Sequence, residues 1–395
     1  MNIHILSYTP FPEGYATCAR VKAYMTALSS QGIDVKTIIP FRTEIHNRPI
    51  NVNVAGEVSG GSYLYLSNTT IRSKYRLVRM IDDALSLLKG ILYVIRSIKK
   101  EDCIILYDLP LFYIIVVLLL CKVLSRKSVI ELCEYPYIWR KKSFSTIVSQ
   151  FFFIRIALRL ASGVIVISHA LENFVKRYSA AKILYVPILV DKNIHVDKRF
   201  PEKSKKLVPF LLHTGSLYES KDGVCGMLEA FAIAKKRINF PIHYVLTGNI
   251  NQSVDKDRIQ DIIKKYSLDD CVKFVGYLKE SELRWYQTHC SVVIINKLPS
   301  EQNKYCFSTK LGEYLLLGCP VITTNVGEQA NYLKDNINSF LVEPGNPSLL
   351  AEAVVKVFNS VPELEQIRIN ATELAKRHFL PEQHGERMVR FFQKL

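Results

Sequence analysis

The sequence predicts an α/β protein with two domains, each built on a doubly wound parallel sheet. Short apolar runs typical of buried strands alternate with segments of helical spacing along most of the chain, an order characteristic of parallel sheets. A polar segment between Val190 and Pro209 interrupts this alternation. We therefore expect a first domain at residues 1–195, a second at 196–375, and a final helix at 376–395 that crosses back to the first domain.

In the first domain, strand and helix signals follow each other from the N-terminus. Asn2–Ser7 is an apolar strand, and a loop ending at Gly14 leads into helical spacing over Tyr15–Ser30. Further strands are predicted at Ile33–Pro40, Ser62–Leu66, Cys103–Tyr107, Ser128–Leu132 and Gly163–Ser168, with helices at residues 76–98 and 111–124.

The second domain repeats the pattern directly after the polar segment. Its strands are predicted at Phe210–Thr214, Ile242–Thr247, Val272–Val275, Ser291–Ile295, Pro320–Thr324 and Ile337–Val342. Its helices are predicted at Met227–Ile238, Asp257–Tyr266, Ser281–Thr288, Lys310–Leu317 and Pro347–Ser360, with a mostly helical tail broken near Pro381.

One apolar stretch, Cys103–Cys121, has the composition of a membrane span without its length. Asp108 and Pro110 interrupt it and leave only the 11 residues Leu111–Cys121 unbroken. This run is too short to cross a hydrocarbon core of about 30 Å. The N-terminus also lacks the basic start and long apolar core of a signal peptide, so we expect a cytoplasmic protein.

The net charge of +16 is concentrated in the first half of the chain. Residues 1–200 hold 27 Lys and Arg against 14 Asp and Glu, whereas the remainder holds 25 against 22. The basic residues form clusters at Arg72/Lys74/Arg76/Arg79, Arg96/Lys99/Lys100, Arg126/Lys127 and Arg140/Lys141/Lys142. They indicate either an anionic membrane surface as partner or ordinary solvated faces; without a base-reading motif, they do not indicate nucleic acid.

The nine cysteines show no C-x-x-C pair, and several lie inside apolar runs. This distribution is typical of small core residues in a reduced protein, and the sequence has no zinc-type cluster. Asp255-Lys-Asp257 resembles an acidic metal motif, but helix capping by either aspartate explains it better. We therefore expect no metal and no cofactor.

The segment Glu301–Val326 carries the clearest binding signal. Ser308 or Thr309 is placed to cap the helix Lys310–Leu317, whose first backbone amides form an anion site, and a buried strand follows. Leu311 lies on the buried side of this helix, whereas Lys310 and Glu313 lie on another. The alternative for these two residues is an exposed ion pair.

A second phosphate-binding signal is the loop HTGSLYESKDG. It follows a predicted strand, Gly215 permits close backbone approach, and Lys221 offers a positive charge. Glu313, one helical turn beyond the anion site, is placed to accept hydrogen bonds from a ribose diol. The dinucleotide and P-loop motifs are both missing.

In the first domain, carboxylates occur where predicted strands end. Asp108 follows one strand, Glu131 and Glu134 lie at the end of the next, and Tyr135 with Tyr137 supplies apolar surface beside them. Such carboxylates orient an acceptor hydroxyl or act as a base, or else they cap helices. The candidate acceptor-side residues are Asp108, Glu131, Glu134 and Tyr135.

Taken together, these segments resemble the retaining glycosyltransferases of family 4, which have the GT-B fold of two Rossmann-like domains facing across a cleft. The resemblance runs almost end to end, through SYTPFPEGYATCARVKAYMTALSSQGIDVKTI, ASGVIVISHAL, GSLYESKDG, VLTGN, VKFVGYLKESEL and FSTKLGEYLLLGCPVITTNVG. The last of these matches the terminal part of the family's E-x7-E motif.

The resemblance implies a nucleotide-sugar donor, UDP- or GDP-linked, in the second domain. Lys221 would hold the diphosphate, Glu313 the ribose, and residues 276–278 the base; Glu313 and Lys221 are the predicted catalytic residues. The full set of predicted donor-binding residues is Gly14, Gly215, Ser216, Lys221, Gly248, Gly276, Tyr277, Leu278, Tyr305, Phe307, Ser308, Thr309, Lys310, Leu311 and Glu313.

Two positions depart from the family pattern. Ser216 stands where the family often has Arg, and Tyr305 stands where the first Glu of E-x7-E is expected. We expect a hexosyl- or N-acetylhexosaminyl-transferase that acts, with retention, on a glycan or lipid-linked acceptor at the inner face of the membrane during surface polysaccharide or glycoconjugate synthesis. The alternatives are a sugar-nucleotide epimerase of the same fold and a non-catalytic nucleotide-sugar-binding protein.

Overall fold

The structure is a computed structural model that describes residues 1–136, 143–192, 207–359 and 361–395. Most of the predicted linker, Tyr137 and the basic cluster Arg140–Lys142 lie outside the described residues. The chain divides into two compact units. Unit 1 comprises Met1–Val190 with Leu380–Leu395, and unit 2 comprises Asp191–Phe379.

Unit 1 contains an eight-stranded sheet that is parallel except for one edge hairpin. Its strands are β1 (Ile3–Ser7), β2 (Val35–Ile39), β3 (Ala55–Val58), β4 (Gly61–Tyr65), β5 (Cys103–Tyr107), β6 (Lys127–Leu132), β7 (Gly163–Val166) and β8 (Lys182–Tyr185). They lie in the order β3-β4-β2-β1-β5-β6-β7-β8, with β3 antiparallel to β4. The central strands β1 and β5 are buried along their whole length, because aliphatic side chains face helices on both sides of the sheet.

Seven helices belong to the described part of unit 1. They are α1 (Ala16–Ser29), α2 (Arg76–Ser97), α3 (Leu111–Val123), α4 (Phe144–Phe152), α5 (Leu158–Leu160) and α6 (His169–Tyr178), with the C-terminal helix Gly385–Lys394. A π-helical turn, Phe153–Ala157, joins α4 to α5. The C-terminal helix packs against α1, whereas α2 packs on α3 and α3 on α5.

Unit 2 contains a six-stranded, fully parallel sheet. Its strands are β9 (Phe210–His213), β10 (His243–Thr247), β11 (Val272–Gly276), β12 (Val292–Ile295), β13 (Val321–Thr324) and β14 (Phe340–Val342). The order β11-β10-β9-β12-β13-β14 places β9 and β12 at the centre, where every residue is buried. The carboxyl ends of neighbouring strands therefore meet at one edge, where ligands bind in folds of this kind.

The helices of unit 2 connect these strands. They are α7 (Glu219–Asp222), α8 (Val224–Lys235), α9 (Lys256–Lys265), α10 (Glu280–His289), α11 (Glu301–Tyr305), α12 (Thr309–Leu316), α13 (Pro347–Asn359) and α14 (Val361–His378), so that the C-terminal helix Gly385–Lys394 is α15. Helix α8 packs on α9 and α13, and α12 packs on α14.

The predicted fold class, two parallel-sheet α/β domains, is confirmed. The prediction missed the short elements β3, β8, α7 and α11, and it began the last strand of unit 2 at Ile337 instead of Phe340. Within the described residues, no helix combines the length and apolarity required to cross a membrane.

Candidate active site

The loop after β9 brings the backbone of unit 2 close to a buried cation. Gly215 has φ +144°, and a Cβ there would collide with the ammonium group of Lys310. That ammonium group donates a hydrogen bond to the carbonyl of Thr214. Glycine at this position therefore permits the strand end and the side chain of Lys310 to meet, which was the close approach predicted for Gly215.

Lys310 belongs to a cluster of three lysines around Asp222. Lys297 forms an ion pair with Asp222, and Lys221, on α7, is close enough to influence Lys310 electrostatically. Burial, together with the positive charges of Lys297 and Lys221, lowers the pKa of Lys310 to about 8. The ammonium group of Lys221 has no hydrogen-bond partner among the described residues, so it is available to a ligand.

Asp222 holds this cluster together. Burial alone would raise its pKa, but Lys297 and His213 favour the carboxylate, and the net effect lowers the pKa of Asp222 to about 2. Ser216 Oγ donates to Asp222 Oδ2 at 2.6 Å. The hydroxyl of Ser216, predicted to bind the donor, is thus engaged with Asp222.

Helix α12 supplies free backbone donors beside the cluster. The amides of Thr309 and Lys310 are the first in the helix and have no intrahelical partner. The predicted cap by Ser308 or Thr309 was wrong: the side chain of Ser308 makes no cap hydrogen bond, because the amide of Leu311 donates instead to the carbonyl of Ser308 at 3.0 Å. Leu311 is fully buried, as predicted.

Glu313 lies one helical turn further along α12 and is paired with an arginine that the sequence did not indicate. Arg284 Nη1 donates to Glu313 Oε2 at 2.7 Å, and Gln287 Nε2 lies 3.4 Å from the same oxygen. The Glu313 carboxylate raises the pKa of Arg284 even though burial acts in the opposite direction. Glu313 Oε1 has no partner among the described residues, so one carboxylate oxygen remains free to accept hydrogen bonds.

This arrangement replaces the exposed Lys310–Glu313 ion pair considered as the alternative. Lys310 is directed to Thr214, and Glu313 is directed to Arg284. The spacing of Arg284 and Gln287, three residues apart on α10, places them on one helix face, which is the weak signal that could have identified them.

Gly248, directly after β10, adjoins the Gly215 loop, and Gly276, the last residue of β11, adjoins Gly248. Gly248 has φ +94°, and a Cβ there would collide with the carbonyl oxygen of Gly215. The amide of Gly248 donates to the carbonyl of Gly276 at 2.8 Å. Tyr277 follows with 75% of its surface exposed, its hydroxyl donating to Gln252 Oε1 at 2.8 Å, and Leu278 is half-buried. The predicted phosphate and base loops are therefore neighbours.

Two aromatic residues at the junction of α11 and α12 have different surroundings. Phe307 is buried and stacks on Tyr332 with 5.4 Å between ring centroids, so its side chain is part of the core. Tyr305, where a carboxylate was expected, ends α11 with the ammonium group of Lys304 at 5.5 Å from its ring centroid. The proposed donor contacts of both residues remain predictions.

The predicted residues of unit 1 have different surroundings. Gly14 is exposed, and a Cβ there would lie 2.6 Å from the carbonyl oxygen of Pro10. Asp108 is exposed directly after β5 with φ +53°. Glu134 is half-buried after β6, and the ring of Tyr135 meets Phe174 edge-on at 5.0 Å.

Glu131 differs from the expectation that it projects from the strand end. It lies within β6, where Arg20 Nε donates to Oε1 and the Tyr24 hydroxyl to Oε2, both at 2.7 Å. Its carboxylate is fully buried. Because protein groups satisfy both oxygens, the structure gives Glu131 a role inside unit 1.

Among the described residues, no group of three His, Cys, Asp or Glu side chains is arranged to hold a metal ion. Metal-free chemistry stays a prediction.

Comparisons with known proteins bear on the family and the fold. Residues 208–360 match the family model described as "Glycosyl transferases group 1". A curated 2-deoxystreptamine N-acetyl-D-glucosaminyltransferase from Niallia circulans is 21% identical over 222 residues, which is 49% of this chain and 55% of that protein. The match thus spans little more than half of the relative's length.

Solved structures of glycosyltransferases resemble the whole chain. Sucrose-phosphate synthase from Thermosynechococcus elongatus has a TM-score of 0.71 at 17% identity, covering 100% of this chain and 98% of that one. HepE from Anabaena, in complex with UDP and glucose, has a TM-score of 0.69 at 15% identity and covers 100% of both chains. The chain therefore has the predicted GT-B fold, and its residues 208–360 match the group 1 glycosyltransferase model.

Proposed function

We propose that this protein transfers a hexosyl or N-acetylhexosaminyl group from a nucleoside diphosphate donor to a hydroxyl of a glycan or lipid-linked saccharide, with retention of configuration. The observation that carries the proposal is the position of Glu313. Its free carboxylate oxygen belongs to α12, one helical turn beyond the free amides and Lys310 of the basic cluster. A nucleoside diphosphate carries the matching groups, a ribose diol for a carboxylate and two phosphates for cations and backbone amides.

UDP is the first donor to test. The HepE structure is a complex with UDP and glucose, and the Niallia relative is an N-acetylglucosaminyltransferase. A UDP-hexose or UDP-N-acetylhexosamine is consistent with both proteins, and a GDP-sugar is the second choice.

In the proposed reaction, the diphosphate is the leaving group. The acceptor oxygen bonds to the anomeric carbon as the bond from that carbon to the β-phosphate oxygen breaks, and the hydroxyl proton passes to a phosphate oxygen. Lys221, Lys310 and the free amides of α12 stabilise the charge that develops on the diphosphate. Glu313 holds the ribose, which fixes the donor relative to those cations. The proposed reaction needs no metal.

The setting that we propose is polysaccharide or glycoconjugate synthesis in the cytoplasm, at the inner face of a membrane. The support is the basic bias of residues 1–200, because anionic lipids attract clustered Lys and Arg.

The test is turnover of a panel of UDP- and GDP-sugars by the purified protein, measured as nucleotide release with and without saccharide acceptors. We expect Lys221→Ala to lower turnover by about tenfold or more, since one charge-assisted contact to phosphate contributes about 1.5–3 kcal/mol. Lys264→Ala, an exposed lysine of the same unit, is the matched control. The anomeric configuration of the product, read by NMR, tests retention.

Three outcomes would contradict the proposal. Donor binding without turnover across all acceptors would favour a binding protein, which Tyr305 in place of the expected carboxylate also favours. Conversion of the donor to its epimer without an acceptor would indicate an epimerase. Equal turnover in Lys221→Ala and the control would remove Lys221 from the site.

A further inference from the structure

Helix α2 of unit 1 exposes a continuous apolar stripe. Its members are Leu77, Ile81, Leu85, Leu88 and Ile95, each between 42% and 75% exposed. At 100° per residue they fall within an arc of about 80°. From first to last they extend about 27 Å along the helix.

The amphipathicity of α2 is inverted relative to a helix that packs its apolar face into a core. The buried residues Ser86, Gly90 and Val94 lie on the side opposite the stripe. Gly90 meets the ring of Tyr113 on α3, and a Cβ at Gly90 would collide with that hydroxyl. The fully buried positions of α2 are therefore small residues, while the large side chains of the stripe face solvent, a departure that marks an interaction surface.

Two further helices of the same unit add exposed apolar side chains. On α3 these are Phe112, Leu119 and Val123, and on α4 they are Phe144, Ile147, Phe151 and Phe152. Helix α2 packs directly on α3, and no residue of α4 is buried within the protein. We call the α2 stripe, together with the exposed apolar residues of the adjacent α3, the apolar face.

Basic groups lie at both ends of the α2 stripe. At its start, a surface cavity of about 430 Å³ is lined by Arg72, Lys74 and Arg79, and no carboxylate lines it. At its end, Arg96, Lys99 and Lys100 are exposed. The acidic residues of α2 are already paired, Asp82 with Arg42 at 2.6 Å and Asp83 with Arg72 at 3.8 Å.

We infer that the apolar face docks onto an anionic phospholipid bilayer, with α2 lying in the interface and a lipid phosphate group occupying the cavity at Arg72, Lys74 and Arg79. Apolar side chains between basic groups match acyl chains beneath anionic headgroups. A second copy of the chain fits less well, because it would bring like charges together in a protein of net charge +16. The inference extends the proposed setting but does not depend on the donor chemistry.

The test is flotation of the full chain with vesicles. We expect partitioning onto vesicles of phosphatidylglycerol and phosphatidylcholine to exceed that onto pure phosphatidylcholine by about tenfold or more. Partitioning should weaken as salt rises from about 0.15 M to about 0.5 M, because screening strengthens over this range. Ile81→Ser with Leu85→Ser should lower partitioning by about tenfold or more. Lys74→Gln should lower it by about fivefold, the equivalent of one basic residue at an anionic surface.

Matched controls come from unit 2. Val254→Ser with Ile369→Ser removes two exposed apolar residues, 85% and 45% exposed, and Lys264→Gln removes one exposed lysine. Both should partition like the wild type. All substituted positions lie at the surface, so thermal unfolding and donor turnover with a soluble acceptor should be unchanged in every variant, which separates this test from that of the proposed function.

Three results would overturn the inference. One is equal binding of the wild type to neutral and anionic vesicles. Another is wild-type partitioning by Ile81→Ser with Leu85→Ser. The third is a dimer in solution, abolished by that double variant, without vesicle binding; it would assign the apolar face to a second copy of the chain.

Discussion

Each unit contains an Arg–Glu pair with 2.7 Å between nitrogen and oxygen, but the two pairs differ in what surrounds them. In unit 1, the side chains of Arg20 and Glu131 are 4% and 0% exposed. In unit 2, those of Arg284 and Glu313 are 10% and 30% exposed. The same interaction is therefore closed inside the core in one unit and open to solvent in the other.

The remaining partners explain the difference. Arg20 also donates to the carbonyls of Pro187 and Val186, and Glu131 also accepts from Tyr24. In unit 2, Glu313 keeps one oxygen without a partner among the described residues. A closed pair can stabilise the fold but has no acceptor left for a ligand, whereas an open pair holds a carboxylate in position for one.

The largest expected effect comes from breaking the closed pair. Arg20→Met leaves the buried charge of Glu131 unpaired and should lower the free energy of unfolding of unit 1 by about 3–5 kcal/mol. Urea unfolding followed by circular dichroism, with hydrogen exchange of the β1 and β6 amides, measures it. Lys22→Met is the control on the same helix, because Lys22 pairs with the exposed Glu13 at 3.4 Å and should contribute about 1 kcal/mol or less. A similar loss of unfolding free energy in Arg20→Met and Lys22→Met would show that burial of the Arg20–Glu131 pair does not make it more stabilising than an exposed pair.

Breaking the open pair should act on binding instead of stability. Glu313→Gln keeps the side-chain shape but removes the charge that would accept from the ribose, so donor affinity should fall by roughly 10- to 100-fold, the equivalent of about 1.5–3 kcal/mol. Stability should change by about 1 kcal/mol or less, since Glu313 is partly exposed.

Calorimetric titration with UDP and UDP-sugars measures that affinity. Glu280→Gln is the matched control, because Glu280 is the second partner of Arg284 at 3.5 Å but has a side chain 75% exposed. If Glu280→Gln weakened the donor as much as Glu313→Gln, the effect would belong to Arg284 and its position instead of to the Glu313 carboxylate.

The sequence predicted Glu313 and Lys221 as candidates because their signals are local. Each signal lies within about a dozen residues. One is the glycine-containing turn before Lys221, and the other is the helix start before Glu313. It did not predict Arg284, or the Asp222–Lys297 pair, since those partners come from distant segments and meet only when β9, β12 and α10 are in place. For the same reason, Glu131 was predicted as a ligand group when its partner is Arg20, 111 residues away.

Which face of α2 packs on the protein could not be predicted from the sequence either. Helical spacing over residues 76–98 predicted the helix and agrees with α2 at Arg76–Ser97. An amphipathic pattern does not state which face packs on the protein, and here the small residue Gly90 and the ring of Tyr113 decide it. The predicted cap by Ser308 was wrong for a similarly local reason. The amide of Leu311 donates to the carbonyl of Ser308 instead of to its side chain.

The smallest expected effect is the pH dependence of UDP affinity, which tests whether Lys310 of the open site in unit 2 meets the diphosphate. Lys310, with a pKa lowered to about 8, loses its proton above that pH. Its neighbours do not titrate in this range: Asp222, with a pKa of about 2, stays ionised, and burial lowers the pKa of His213, which stays neutral. A bound diphosphate favours protonated Lys310, so UDP affinity should fall by about tenfold at most from about pH 8 to about pH 9.5. The phosphate groups themselves titrate near about pH 6 and do not contribute in this window.

Stability should respond with the opposite sign. The unfolded chain holds the proton of Lys310 up to about pH 10.5, whereas the folded chain releases it near pH 8, so this group makes folding more favourable as pH rises between those values. Lys310→Met should bind UDP more weakly than the wild type at about pH 8, and its UDP affinity should not change above that pH. Its stability should not rise between about pH 8 and pH 10.5. The control Lys264→Met should keep both the fall in UDP affinity and the rise in stability. A wild-type UDP affinity that is constant across this window would mean that Lys310 does not meet the diphosphate, and the charge on the donor would then rest on Lys221 and the α12 amides.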